Sequence, residues 1–379
     1  MRVQFALAAL VMFAGGGVVN AAEPIKVGTI FPMSGPAGPS GIDASAGARV
    51  QVDLINKSGG LLGRQIVIEQ KDDESTPAVG VSRANELIAS KANVIFEGRN
   101  SPVALAMQPV IAAADILDIT CSAKAEGVLS GRGNPLAIRI ISSNEIDAEA
   151  IARYAVEIKG ARRIAILFQN DAYGNDFRQL IEDKLKAIGK PYEIVASEKF
   201  PFKQTDFRVS LTSIASVKAD ILIAINAATS GMSALIQQYR QVGIDTPFVG
   251  GIALLTPEVF SVVKGDLNGI VSGAAYLPGL EPLKDVAASR AFYDAYEKAI
   301  GRAPGEEAGI AAQAVSVWAA AVTQTQSLDR VKVAEAIRGK EVKNTNFGDV
   351  TFAPNGQMLL KPVMFEVVDG ATTKLKLVK

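Results

Sequence analysis

The residues with the most chemical interest lie where apolar strands give way to short polar turns. The stretch VIFEGRNSPVALA, at positions 94–106, predicts a strand, a turn and then a helix that begins near Pro102. Asn100 and Ser101 stand just before that helix, where backbone N–H groups lack partners within the helix and carry a partial positive charge. Such donors suit a carboxylate, to which Ser101 can add its hydroxyl; simple capping of the helix is the alternative.

A second turn of the same kind follows the next predicted strand. In TCSAKA, Ser122 and Ala123 stand at the end of the strand, and Lys124 follows them directly. Lys124 can add a positive charge to the site, with Arg99 nearby, or it can be solvated, as most lysines are. Because the two donor turns are adjacent on one predicted sheet, we expect them to bind an acid together.

Three further turns matter because ligands of open α/β sheets bind beyond the carboxyl ends of the strands. The segment 31–41, FPMSGPAGPSG, is predicted to be an irregular loop that can approach a ligand closely. Tyr173, in QNDAYGND, is expected to form an apolar wall with a polar tip, or to pack against the following helix. The last of these turns spans residues 226–231 and begins at Asn226.

The composition argues against several classes of chemistry. The chain has 379 residues, of which 49% are hydrophobic and 21% charged, as expected for about two soluble domains. Lys+Arg and Asp+Glu number 39 each, so there is no overall positive field for nucleic acid. The sequence has no histidine and one cysteine, Cys121, and it lacks a nucleotide-binding fingerprint. We therefore expect no enzymatic activity, no metal and no cofactor.

Alternating strands and helices must position these turns. The pattern runs from about residue 25 to 142, restarts, and continues to about 270, which predicts parallel sheets covered by helices on both faces. In the remaining block, the helix 308–325 is too apolar to stand free and is expected to return to the first unit. The segment VTFAPNGQMLLKPVMFEVV predicts a C-terminal hairpin with its turn at residues 354–356.

The N-terminal residues have the pattern of an export signal. MRVQFALAALVMFAGGGVVNAAEP carries Arg2, then an apolar core over residues 5–19, then small residues. The core is too short for a stable membrane span. We expect cleavage after Ala21, or else after Ala22, and an exported, soluble mature chain; an uncleaved anchor is the alternative.

The mature chain resembles the periplasmic solute-binding proteins of the leucine/isoleucine/valine-binding type, which serve ABC transporters. The segments that carry the resemblance are IKVGTIFPMSGP, INKSGGLLGRQIVIEQKDDESTPAVGVSRANELI, RRIAILFQNDAYGND, TDFRVSLTSI and YRQVGIDTPFVGG. The resemblance implies the type I periplasmic binding protein fold. This is an α/β fold of two Rossmann-like lobes, with parallel sheets flanked by helices, joined by three hinge crossovers. The expected lobes are 22–142 with 276–352, and 143–275 with 353–379.

The resemblance also implies a set of ligand contacts. The family's serine at the end of the third strand matches Ser101, and its small-residue turn after the fourth strand matches Ser122-Ala123, with Lys124 in place of a threonine. The family's YG aromatic matches Tyr173, and its second-lobe tyrosine falls in NAATS, beside Asn226. The expected ligand-binding residues are Ser40, Asn100, Ser101, Ser122, Ala123, Lys124, Tyr173 and Asn226.

Two departures from the family pattern bear on the ligand. Ile252 aligns with the acid that pairs with the ligand's ammonium group, and Ser40 aligns with a bulky aromatic wall. Without that acid a buried ammonium is unpaired, at a cost of several kcal/mol, unless Asp171 or Glu97 replaces it or the ligand has no ammonium. The smaller wall leaves room for a larger side group, such as an aromatic ring.

The leading hypothesis is the periplasmic solute-binding component of an ABC uptake system for amino acids of the branched-chain type. The alternative is the same role for an aromatic or aliphatic carboxylate that lacks an amino group. The expected partners are a small ligand with a carboxylate and a membrane permease, with no nucleic acid and a monomeric chain. A ligand-sensing regulator is disfavoured by the export signal, and a hydrolase or dehydrogenase by the absence of histidine.

Overall fold

The computed structural model describes residues 23–130, 134–252, 255–276, 283, 285–370 and 374–378. The predicted cleavage site after Ala21 lies outside the described residues. Within them, none of the helices combines the length and the apolar character that crossing a bilayer requires.

The first sheet consists of five parallel strands whose residues are mostly buried on both faces. The strands are β1 (Ile25–Phe31), β2 (Ile66–Asp72), β3 (Val94–Glu97), β4 (Leu117–Thr120) and β5 (Ala137–Arg139), in the order β2-β1-β3-β4-β5. The intervening helices are α1 (Gly38–Lys57), α2 (Pro77–Ala89), α3 (Ser101–Ala113) and α4 (Gly127–Ser130). Continuous apolar runs such as VIFE are typical of parallel strands that helices cover on both sides.

The loop predicted over residues 31–41 is wrong in its second half. Helix α1 begins at Gly38 and carries a proline in its first turn, where the missing N–H of proline costs no intrahelical hydrogen bond. Ser40 therefore lies on the first turn of a helix, with a side chain that is 1% exposed.

The second sheet follows the same alternation. Its parallel strands are β6 (Arg163–Gln169), β7 (Glu193–Phe200), β8 (Ile221–Ile225), β9 (Phe248–Ile252) and β10 (Val271–Ala274). The helices of this lobe are α5 (Asn144–Arg153), which continues as a π-helical turn Tyr154–Ile158, α6 (Ala172–Ile188), α7 (Arg208–Ser216), α8 (Thr229–Val242) and α9 (Pro257–Val263), which a 3-10 turn Lys264–Leu267 follows.

The third block returns to the first lobe, as the sequence predicts. It comprises α10 (Ala287–Ile300), α11 (Glu306–Thr325), α12 (Arg330–Ile337), β11 (Glu341–Thr345) and β12 (Gly348–Thr351). The apolar helix α11 lies in the first core, where Trp318 meets Phe96 edge to face at 5.9 Å. It packs along α1 so closely that a Cβ on Gly47 would lie 2.1 Å from the carbonyl oxygen of Ala308.

The predicted C-terminal hairpin is wrong, although its turn forms. Gly356 has φ +89°, and a single antiparallel bridge joins Phe352 to Met358 across the turn. The strand that follows, β13 (Val363–Asp369), instead pairs antiparallel with β10 and with β14 (Lys374–Leu377). The second sheet therefore has the order β14-β13-β10-β9-β8-β6-β7. The edge of β10 pairs with β13 at four positions, whereas the segments that flank the turn share a single bridge.

The fold is the predicted α/β architecture of two lobes joined by three chain crossings. The crossings lie between β5 and α5, after β10, and between β12 and β13. The predicted lobe boundaries stay a prediction. The packing differs from them at the third crossing between the lobes. Phe352 and Met358 belong to the first core, whereas Val363 begins a strand of the second sheet, so the third crossing follows Met358 instead of residue 352.

Candidate ligand site between the lobes

The carboxyl ends of the parallel strands of both lobes face one another across a closed interface. Four helices begin there, because α1, α3, α6 and α8 follow β1, β3, β6 and β8, and α1 contacts α8 while α3 contacts α6. The Oγ of Ser40 lies 2.9 Å from the Oγ1 of Thr229, and the amide of Thr229 donates to the carbonyl of Pro36 at 3.2 Å. Ser40 therefore contacts the opposite lobe directly.

Ser101 joins the two turns that the sequence singled out. Its Oγ accepts hydrogen bonds from the amides of Lys124, at 3.2 Å, and Ala125, at 3.1 Å. The serine is 1% exposed. A hydroxyl that accepts through its lone pairs still has one proton to donate. The two turns lie close together, as predicted. However, the amides of Lys124 and Ala125 already donate to Ser101, which was expected to bind a ligand together with that turn.

Asn100 caps α3 through its backbone instead of its side chain. Its carbonyl oxygen accepts from the amides of Val103 and Ala104, at 3.0 and 3.1 Å. Among the described residues its side-chain Oδ1 and Nδ2 have no hydrogen-bond partner, although both atoms are buried. Buried amides are normally paired, so this side chain has spare donors and acceptors for a bound molecule.

Lys124 forms a buried ion pair that crosses from the first lobe to the second. Its Nζ lies 2.7 Å from Oδ2 of Asp147 on α5, and the two side chains are 3% and 0% exposed. Burial raises the pKa of Asp147, and the neighbouring Lys124 acts in the opposite direction. The Lys124 charge, expected to serve a ligand or solvent, thus pairs with Asp147. Arg139 fixes the backbone of the same turn by donating to the carbonyls of Lys124 and Ala125, both at 2.9 Å.

A second buried ion pair was missed by the sequence analysis. Arg99 Nη1 lies 2.5 Å from Oε1 of Glu307, and the hydroxyl of Ser122 donates to Glu307 Oε2 at 2.6 Å. Arg99 Nη2 also donates to the carbonyl of Ala227, on the other lobe, at 3.1 Å. The available signal was the acidic pair Glu306-Glu307 at the start of an apolar helix, but nothing local linked it to Arg99.

Neither acid proposed as a substitute for the missing family residue is a free carboxylate. Glu97 is fully buried at the end of β3, and burial together with nearby Asp118 raises its pKa well above the ordinary value, which favours the uncharged form. Asp171 caps α6 by accepting from the amide of Gly174 at 3.1 Å and also bonds Gln169.

The remaining predicted residues shape the walls of the interface. Tyr173 is 6% exposed and packs edge to face on Phe177 at 5.7 Å. Asn226 accepts from the amide of Ala228 at 2.9 Å, so its side chain holds its own turn. Ala123 is fully buried beneath the β4 turn. Ile252 ends β9, and its side chain lies outside what the structure describes.

The arrangement offers polar groups for recognition of a ligand. Over the described residues no group of three or more His, Cys, Asp or Glu side chains is placed to hold a metal ion. What the interface does provide is buried hydroxyl and amide groups at the N-termini of helices, where a negatively charged group is favoured.

Comparison with known proteins places the chain in a family. The model of a periplasmic binding protein family matches residues 24–372. The Leu/Ile/Val-binding protein BraC3 of Rhizobium johnstonii is 28% identical over 341 residues, which are 88% of this chain and 89% of the relative.

Two solved structures share the fold. The first is the branched-chain amino acid transporter substrate binding protein LivJ from Streptococcus pneumoniae, in complex with isoleucine. It has a TM-score of 0.84 at 23% identity and covers 94% of this chain and 100% of its own. A solute binding protein of an ABC transporter from R. palustris, in complex with benzoate, also has a TM-score of 0.84 at 23% identity, with coverage of 94% and 96%. With the family model matched over nearly the whole described chain, this protein belongs to the periplasmic binding proteins.

Proposed function

We propose that this protein is the extracytoplasmic solute-binding component of an ABC uptake system for amino acids of the branched-chain type. The observation that carries the proposal is the buried polar interface between two hinged lobes, in a chain whose relatives are named for binding Leu, Ile and Val. A ligand acts by stabilising the closed arrangement through its higher affinity for that form. The protein then delivers the ligand, chemically unchanged, to a membrane permease; it works as a monomer, without nucleic acid.

The ligand's carboxylate is proposed to bind at the N-terminus of α3. Ser101 has a hydroxyl proton to donate, and the unpartnered Nδ2 of Asn100 lies on the adjacent residue. The backbone around Ala123 supports the same site from the neighbouring strand, and Tyr173 closes it from the second lobe. These groups supply hydrogen bonds and a helix dipole, which suffice for an anion without a dedicated cation.

Glu307 is the acceptor that we propose for the ligand's ammonium group. It carries a carboxylate within 2.6 Å of Ser122. A carboxylate has about four lone-pair sites, so contacts with Arg99 and Ser122 leave acceptor capacity. This assignment replaces Glu97 and Asp171, because burial favours the uncharged form of the first and the second caps a helix.

The second candidate is the same transport role for a carboxylate without an amino group. Three points favour it: the resemblance implies that Ile252 takes the place of the family's acid, Glu307 is already paired with Arg99, and a neighbour of the same fold is in complex with benzoate.

Matched ligands distinguish the two candidates. Leucine and 4-methylpentanoate share one carbon skeleton and differ by the ammonium group, so their calorimetric titration isolates that group; benzoate is the third ligand. For an amino-acid binder, removal of the ammonium strands a buried acid and weakens binding by about 100-fold or more. Tighter binding of 4-methylpentanoate or benzoate than of leucine supports the second candidate. If none of these acids, nor any other amino acid, binds, the proposed role is overturned.

Export with cleavage after Ala21 forms part of the proposal. N-terminal sequencing of the protein isolated from the periplasm should begin at Ala22. Recovery of the intact N-terminus from the cytoplasm would contradict it.

A further inference from the structure

Arg99 is a single buried side chain that binds both lobes at once. It lies in the turn between β3 and α3 in the first lobe, is 8% exposed, and donates to the carbonyl of Ala227 in the second lobe at 3.1 Å. We propose that Arg99 is a latch that favours the closed arrangement of the lobes, with Glu307 and Ser122 as its positioning residues. The inference rests on the lobe closure of the proposed function, and it adds a contact that acts independently of the ligand.

The guanidinium is anchored in the first lobe. Glu307 receives Arg99 through one carboxylate oxygen and Ser122 through the other, at 2.5 and 2.6 Å. Glu307 lies in the first turn of α11, a helix that is buried in the core of the first lobe. Because the guanidinium is a rigid fork, one arm held by a carboxylate fixes where the other arm points.

The acceptor in the second lobe is held as firmly. Ala227 lies in the turn between β8 and α8, and its amide donates to Oε1 of Gln169 at 3.0 Å. The next amide, that of Ala228, bonds the side chain of Asn226 at 2.9 Å. These two bonds fix the turn and present the Ala227 carbonyl to the arginine.

The backbone of Arg99 has a strained conformation. Arg99 has φ +123°, and the preceding Gly98 has φ +132°, a region that residues with side chains rarely adopt. Such strain persists only where surrounding contacts hold it in place, and it concentrates at functional sites. The bonds of the guanidinium to Glu307 and Ala227 supply those contacts.

Separation of the lobes would break the hydrogen bond between Arg99 and Ala227 and would leave the ion pair between Arg99 and Glu307 intact. Arg99 and Glu307 both travel with the first lobe, whereas Ala227 belongs to the second. The bond between Arg99 and Ala227 therefore exists only in the closed form, and it shifts the balance toward closure by about tenfold, the value of one charge-assisted hydrogen bond.

The test measures lobe separation without any ligand. Spin labels at K91C and K203C report it, since Lys91 and Lys203 are exposed on the first and second lobes, while Cys121 is buried and does not react. The principal variant is R99M/E307M, which removes both charges and leaves neither partner buried alone. We expect its ligand-free closed fraction to fall about tenfold. The ligand's dissociation rate is measured in R99K, which keeps Glu307, and it should rise about tenfold.

Two further variants keep the test decisive. R99K retains a positive charge beside Glu307 but has no second arm for Ala227, and it should show the same loss of closure if the double variant fails to fold. The control R153M removes an exposed ion pair with Glu149 and should leave both readouts unchanged. Unaltered distances in folded R99M/E307M or R99K would overturn the latch.

The proposed function fails separately from the latch. The variant N100A removes a side-chain amide that has no hydrogen-bond partner among the described residues, so it should weaken ligand binding while leaving the ligand-free distance distribution as it is. If no acid binds the protein, the proposed function fails, but the ligand-free distances of the R99M/E307M variant still decide whether Arg99 is a latch.

Discussion

The hydroxyl of Ser101 illustrates how much a single side-chain atom does at the lobe interface. It accepts from two amides of the neighbouring β4 turn and lies at the first residue of α3. The same atom therefore holds two turns of the first lobe together and remains able to donate one proton to a ligand. A substitution of Ser101 therefore affects both the stability of the turns and the binding of a ligand, so the two effects need separate measurements.

Removing this hydroxyl should cost stability as well as affinity. In S101A the amides of Lys124 and Ala125 lose their buried acceptor, and we expect the free energy of unfolding to fall by about 2 kcal/mol. Urea denaturation followed by circular dichroism measures it. The control S261A, which removes an exposed hydroxyl, should change stability by less than about 0.5 kcal/mol. Equal stability of S101A and the unmodified protein would contradict the role of Ser101 as an acceptor.

The ion pair of Lys124 and Asp147 gives a larger effect. In K124M the carboxylate of Asp147 stays fully buried without its partner, so the free energy of unfolding should fall by about 3–5 kcal/mol. Removal of both charges in K124M/D147L should restore most of the loss. The exposed pair of Lys186 and Glu182 is the comparison, because K186M should cost no more than about 1 kcal/mol. A similar loss in both single variants would show that burial does not matter here.

At the scale of elements, helices α1 and α11 form the contact on which the first lobe depends. They lie in one core although they are far apart in sequence, and the amide of Ala308 donates to Oδ2 of Asp43 at 3.1 Å. The close approach at Gly47 requires a residue without a Cβ, since the obstacle is the backbone of the other helix.

An added methyl group at Gly47 should lower the stability of the protein. In G47A the new Cβ would meet the backbone of Ala308 at 2.1 Å, and we expect a loss of about 1–3 kcal/mol or more as the helices move apart. Thermal and urea denaturation both report it. The matched control is G265A, because the space around Gly265 is open. If both substitutions are neutral, the two helices are less tightly packed than described.

The sequence predicts these elements well where the signal is local. Alternating strands and helices correctly predicted five parallel strands in each sheet, to which the second sheet adds two antiparallel strands. The apolar character of residues 308–325 correctly predicted that this helix packs in the first lobe. The start of α1 was missed because a Pro- and Gly-rich segment is also typical of loops. The prediction of a C-terminal hairpin was wrong because β13 pairs with β10 over four positions.

The site was predicted less completely than the fold. Ser101 and Ser122 were predicted from their places after strands, and their contact with a ligand stays a prediction. The partner of Arg99 lies 208 residues away, and no spacing rule connects such positions. The role of Lys124 was open for the same reason, because Asp147 belongs to the other lobe.

For the whole molecule, buried acids make stability depend on pH. Burial raises the pKa of Asp73 and of Asp118 to about 7 in the folded protein, whereas both are near 4 in an unfolded chain. Between about pH 4 and pH 7 the folded state therefore holds more protons than the unfolded state. Stability from these groups is greatest below about pH 4 and declines as pH rises toward 7.

The expected result is a higher urea midpoint at pH 5 than at pH 7.5. The variant D118N removes one of the titrating groups while keeping an acceptor for Gln108, so the difference between the two pH values should shrink. A midpoint that is equal or higher at pH 7.5 in the unmodified protein would contradict the assignment.

The order of the chain has a consequence for how the protein matures. Asp43 of α1 and Ala308 of α11 are 265 residues apart, and the second sheet receives its antiparallel strands β13 and β14 from the last segment of the polypeptide. A nascent chain that has not yet passed Glu306 has completed neither lobe, because both wait for residues still to be synthesised. Contacts so distant in sequence form slowly. The export that we propose would therefore act on a polypeptide that has not finished folding, and folding is expected to finish once the C-terminal segment is present.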